Sequence, residues 1–133
     1  MPINPYFLII IGSLFVSNAV IAQGPSVVGN WQHESEPLVV EMRLSDDVIE
    51  GFIVSHEDKP EAVGKKLFRT LTFDESNNCW RGFVYVARLG DEKPICLSMQ
   101  GSNVFEMTVK VGFFSKTVLW NRAQLTANNF IME

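Results

Sequence analysis

Apolar and polar residues alternate along much of the chain with the period of two that a half-buried β-strand imposes. The cleanest stretch sets Phe105, Met107, Val109 and Val111 against Glu106, Thr108 and Lys110. Ile95, Leu97 and Met99 against Cys96, Ser98 and Gln100 repeat the pattern, as do Leu38, Val40, Met42 and Leu44 against Glu41 and Arg43. No helical period survives beyond a turn or two. The β-prone runs fall at 28–34, 38–44, 48–56, 67–74, 80–89, 93–100, 104–111 and 116–122, which predicts eight strands. Between them lie Glu36-Pro37, Ser45-Asp46-Asp47, the 57–65 stretch, 75–78, Gly90-Asp91, Gly101-Ser102-Asn103 and Gly112, the residues that tight connections use. Such connections are too short for parallel crossovers, so sequence neighbours should pair antiparallel as a meander.

Eight antiparallel strands with one dry face have two economical outcomes, a closed up-and-down barrel or a two-sheet sandwich. In either case the dry face must point inward. Turning the other face in would bury Glu106 and Lys110 at several kcal/mol per unpaired charge and expose large side chains at about 1.5–3 kcal/mol each. In a barrel of this size the interior is filled by side chains or holds one small ligand. Any pocket should therefore be lined by Leu97, Met99, Phe105, Met107 and Val109, with Trp80 and Val84 from the preceding strand. The two methionines would let it adapt to irregular apolar shapes.

Composition changes the picture at the amino terminus. Fifteen of the first 22 residues are apolar, and Val20-Ile21-Ala22 before Gln23-Gly24-Pro25 has the small-x-Ala form of a signal-peptidase site. The expected organisation is a signal peptide at 1–22 and a single domain at 23–133. The product would be periplasmic or secreted, from a bacterium, touching membrane only through an uncleaved leader. The run is too short and too interrupted for a spanning helix, although no Lys or Arg precedes it as leaders usually have. With 11 Lys and Arg against 15 Asp and Glu, and no basic cluster, the chain lacks the footprint of a nucleic-acid binder. Export would make Cys79 and Cys96 candidates for a disulfide. A simple hairpin turning at 89–92 instead puts Cys96 opposite Tyr85 and Cys79 some 20 Å away, which forbids the bridge. Both possibilities stand at this stage.

The polar inventory holds little chemistry. His33 and His56 are the only histidines, and the chain has no His-Glu-x-x-His, Gly-x-Ser-x-Gly, Walker or Cys-x-x-Cys pattern. No catalytic residue, metal site or cofactor is expected, and His56-Glu57-Asp58 reads as a charged loop tip.

Two resemblances refine this. Gly29-Asn30-Trp31 on the first strand and Arg122 at the end of the last are similar to the sparse signature of lipocalin-like barrels, in which a late basic residue covers a Gly-x-Trp tryptophan. A guanidinium on that indole would tie the first strand to the last where closure must happen. Across the mature chain, Gly29-Asn30-Trp31, Glu50-Gly51-Phe52-Ile53-Val54, Trp80-Arg81-Gly82-Phe83-Val84-Tyr85, Gly112-Phe113-Phe114-Ser115-Lys116-Thr117 and Trp120-Asn121-Arg122 follow one another in order. That order resembles a divergent member of the secreted bacterial domain of unknown function 2147 family. Val86-Ala87 stands in place of that family's Asp-Pro, and Phe52 in place of its Lys. The resemblance implies a small lipocalin-like barrel and no activity. The expected function is non-enzymatic binding of a small apolar or lipid-like ligand; the alternative is a filled barrel presenting its loops to an envelope partner. The residues do not set the oligomeric state.

Overall fold

The computed structural model describes residues 26–123; the expected leader and the start of the mature chain at Gln23 lie outside them. Eight strands form: β1 (Gly29–His33), β2 (Leu38–Ser45), β3 (Val48–His56), β4 (Lys66–Asp74), β5 (Cys79–Val86), β6 (Asp91–Met99), β7 (Val104–Val111) and β8 (Phe114–Arg122). Each pairs antiparallel with the next, and β8 returns to β1 through Trp31 opposite Arg122 and His33 opposite Trp120. The sheet is a closed barrel with no free edge, which removes the unpaired backbone groups an open sheet would present.

Closure is built at the residue level. The Arg122 guanidinium lies 4.3 Å from the centre of the Trp31 ring. Its nitrogens donate to the carbonyls of Ser26, Val28 and Ser102, which ties the amino-terminal segment and the β6–β7 connection to the end of β8. The buried Trp31 indole donates to the Val27 carbonyl at 2.9 Å. Gly29 makes this approach possible: its φ is +127°, and a Cβ there would stand 2.6 Å from Arg122 Nη1.

β4 contains a bulge that alternation does not anticipate. Arg69 pairs with Phe83 but Thr72 with Arg81, so Thr70 and Leu71 both oppose Gly82, and Thr70 takes a φ of +51°. The extra residue resets parity, which lets both Phe68 and Leu71 reach the core. Gly82 accommodates the bulge, since a Cβ would lie 2.6 Å from the Arg69 carbonyl oxygen. At the far end of β4, Asp74 closes the turn to β5. It accepts from Asn77 and Arg81 side chains and from the Ser76 amide, and the first two contacts above all hold its carboxyl down to about 2.

The β5–β6 hairpin corrects the expected turn and, with it, the cysteine argument. The turn occupies 87–90, not 89–92: Val86 pairs with Asp91, and Gly90 adopts a φ of +64° to end the turn. Gly90 supplies the left-handed residue such turns need, so the strands separate earlier than a Gly90-Asp91 centre implies. This places Cys96 opposite Arg81 rather than Tyr85. Cys79 becomes its diagonal neighbour on the outer face, the Cα atoms are 5.6 Å apart, and the two form a disulfide.

Inner-face residues form one core that includes Val27, Trp31, Val40, Met42, Phe68, Leu71, Leu97, Phe105, Val118 and Trp120.

Candidate functional site

Burial and ring contacts divide the interior into three zones. The floor is at the end where β1 begins and β8 finishes. There the Trp31 and Phe105 rings meet edge to face at 4.6 Å, Phe105 stacks on Trp120 at 5.9 Å, and Trp120 meets Phe68 at 5.5 Å. These rings come from β1, β7, β8 and β4 and cross the lumen. Trp31, Phe68, Leu71, Leu97 and Phe105 have no surface accessible to water, so the floor is packed solid.

Above the floor the wall is apolar. Val84, Ile95, Met107, Val109 and Val118 face inward and each keeps a trace of accessible surface, 3–7%. The seven residues expected to line a pocket all lie on the inner faces of the adjacent strands β5, β6 and β7. Trp80 is opposite Leu97, Met99 opposite Phe105, and Leu97 opposite Met107. They divide by burial: Leu97 and Phe105 belong to the solid floor, Trp80 and Met99 are half-buried, and Val84, Met107 and Val109 belong to the wall that keeps 5–6% of its surface accessible.

The opposite end is the mouth, ringed by the connections 34–37, 57–65, 87–90 and 112–113. Polar residues also appear on the inner face, His33 at the level of the Trp120 ring and the others toward this end. His33 is opposite Trp120, His56 opposite Leu38, Lys93 opposite Val84, and Lys116 opposite Val109. Each partner is buried inside the barrel, so the register puts these four side chains on the same inner surface. The rim is apolar at its tips, where Leu89, Phe113 and Phe114 are exposed.

The electrostatics of the mouth follow from its hydrogen bonds. His33 Nδ1 accepts from the amides of Ser35 and Glu36, both at 3.1 Å, so a neutral His33 carries its hydrogen on Nε2. Burial lowers its pKa below the ordinary value, against the pull of Glu36 and Glu34, and so favours that neutral form. Its ring lies edge-on to Trp120 at 5.0 Å. Trp120 Nε1 and His56 Nδ1 are buried and have no hydrogen-bond partner among the described residues. Lys93 contacts Asp91 at 3.4 Å; no carboxylate among the described residues forms an ion pair with Lys116.

These four inner-face residues were not among the expected site residues. The signal was available, because His33 shares parity with Trp31, Lys93 with Ile95, and Lys116 with Val118. Charged and imidazole side chains near strand ends read as solvent-facing on composition alone.

The fold is therefore a small, closed, eight-stranded antiparallel barrel with a packed aromatic floor. It is similar to a solved structure described as protein HP1028 from the human pathogen Helicobacter pylori, which belongs to the lipocalin family. The TM-score is 0.60 with 15% identity over 80% of this chain and 88% of that one. No family model matches the chain, and no curated protein does. The likeness establishes a lipocalin-like barrel; the similarity to the domain of unknown function 2147 family rests on the quoted motifs alone.

Proposed function

We propose that the protein is an exported, non-enzymatic binding barrel of the bacterial cell envelope, a divergent member of the domain of unknown function 2147 family, that holds one small apolar or lipid-like molecule. The observation that carries this is the gradient inside the barrel. The floor rings are at most 1% exposed, whereas the apolar wall of Val84, Met107, Val109 and Val118 keeps 5–7% of its surface accessible. The lipocalin-family likeness of the fold supports the same reading. Export is supported by the 1–22 leader pattern and by the Cys79–Cys96 disulfide, a bond that oxidising compartments sustain.

Native mass spectrometry of the purified protein mixed with an envelope lipid extract tests the binding claim. One apolar molecule bound per chain is expected; protein that stays bare at every lipid concentration contradicts it. Export is checked separately by amino-terminal sequencing of protein from the periplasmic fraction. It should begin at Gln23, and an intact 1–22 segment there would refute cleavage.

A further inference from the structure

We propose that the protein docks on anionic lipid bilayers through the tip of the β7–β8 hairpin, whose phenylalanines enter the headgroup layer while lysines behind them meet lipid phosphates. The proposal does not depend on what the lumen holds. Val111 pairs with Phe114, so Gly112 and Phe113 make the whole turn. Gly112 supplies its one positive φ, +64°, the pattern of a type II′ turn with glycine first. The second position asks nothing of an aromatic ring. Yet Phe113 is fully exposed and Phe114 about two-thirds exposed, and Leu89 is half-exposed on the neighbouring β5–β6 hairpin at the same end. The β7–β8 hairpin also outruns the barrel. Pairing with β6 ends at Ile95 and Val109, and hydrogen bonding toward β1 ends where the Glu34 amide donates to the Leu119 carbonyl. Residues 110–117 therefore project past both neighbouring strands.

Charge divides the rim around this tip. The hairpin carries no acidic residue from 107 to 117, and Lys110 and Lys116 lie on its two faces. Arg88 is exposed on the β5–β6 turn. Among the described residues, none of these three forms an ion pair. The nearest acids are mostly engaged: Glu92 pairs with Arg69, Asp91 with Lys93, and Glu34 accepts from the Leu119 amide, while Glu36 is exposed in the β1–β2 connection. Across the barrel, the β3–β4 connection sets Glu57, Asp58 and Glu61 against Lys59 and Lys65. That acidic half turns away from an anionic surface as the β7–β8 tip turns toward it. Depth fits as well. Both lysines are three residues from Phe113, about 10 Å along a strand, which is close to the ~5–10 Å that interfacial apolar groups penetrate. Their long stems let the ammonium groups reach the phosphates. Three exposed side chains of at most about 150–250 Å² each fall short of the roughly 800 Å² per partner of a stable protein interface. A fluid lipid surface needs no matching shape.

The test is co-sedimentation of the purified protein with vesicles of phosphatidylcholine, alone or in equimolar mixture with phosphatidylglycerol. Binding to the mixture should exceed binding to phosphatidylcholine by about tenfold. Phe113→Ser/Phe114→Ser should lower binding to the mixture by at least about tenfold. Lys110→Gln/Lys116→Gln should bring it to within about threefold of that to phosphatidylcholine. Lys59→Gln/Lys65→Gln removes the same charge from the far half and should change it by less than about twofold. Phe113→Trp should bind like the unaltered protein, and its emission should move to shorter wavelength when the mixed vesicles are added. All the exchanged side chains are exposed, so unchanged thermal melting checks that each variant folds. Protein that stays in the supernatant with the mixture, undiminished binding by Phe113→Ser/Phe114→Ser, or equal losses from the two lysine pairs would overturn the proposal. A lipid-free dimer in sedimentation equilibrium that Phe113→Ser/Phe114→Ser dissociates would overturn it too, because a second copy would then cover the tip.

Discussion

Trp31, Gly29 and Arg122 form the smallest unit on which the structure depends. Trp31→Ala would remove a fully buried ring, its contact with Phe105, the surface under Arg122 and the hydrogen bond to Val27. A cost of about 3–5 kcal/mol is expected in denaturant unfolding, against a total of roughly 5–15 for a domain; a loss below about 1 kcal/mol would contradict the closure account. Gly29→Ala should also destabilise, through its positive φ and the collision with Arg122 Nη1. His33 gives a pH signature. Its pKa is lowered on folding, so the unfolded chain binds the proton first as pH falls below about 6.5. Stability should drop through that window, and His33→Gln should flatten the drop measured as melting temperature between pH 7.5 and 5. An unchanged slope in the variant would show that His33 is not kept neutral by the fold. The Gly-x-Trp and Arg122 pairing was legible from sequence because each residue type has one geometry that ties first strand to last. His33 was not, because its role depends on the two amides of a connection whose shape no local pattern specifies.

At the level of elements, β3 and β7 have the expected ends, since clean alternation and turn residues on both flanks left little freedom. β5 and β6 did not. Tyr85, Val86 and Leu89 suggested one strand running to the turn, but Gly90 closes a four-residue connection after Val86. That change of register brings Cys79 and Cys96 together on the outer face. The β4 bulge was hidden for a similar reason: Thr70 is an unremarkable strand residue, and only the missing side chain of Gly82 on the neighbouring strand makes room for it. The disulfide closes a loop between residues 17 apart in sequence. Cys79→Ser/Cys96→Ser should lower unfolding free energy by about 3 kcal/mol on the loop-entropy account, read by denaturant unfolding beside the unaltered protein with and without reductant. Identical curves in all cases would mean that the cysteines are not bridged in the purified protein.

For the whole molecule, eight strands with one apolar face must hide that face, and closure of β8 on β1 does so without leaving an edge. Sequence alternation was sufficient for this much, and for placing Trp80, Val84, Leu97, Met99, Phe105, Met107 and Val109 on the inner face. It could not assign height within the lumen, because depth depends on shear and bulges rather than on parity. Hence the floor residues Leu97 and Phe105 and the wall residues Val84, Met107 and Val109 look alike in sequence and differ in space. The central claim is that the wall between floor and mouth receives an apolar molecule. Titration with the neutral apolar dye N-phenyl-1-naphthylamine tests it most directly, using the purified protein, Met107→Trp and Val109→Trp, all verified as folded by circular dichroism. The account predicts saturable fluorescence enhancement at one site in the unaltered protein and its loss in both variants, where the added indole fills the lumen. No enhancement in the unaltered protein, or equal enhancement in all three, would contradict it.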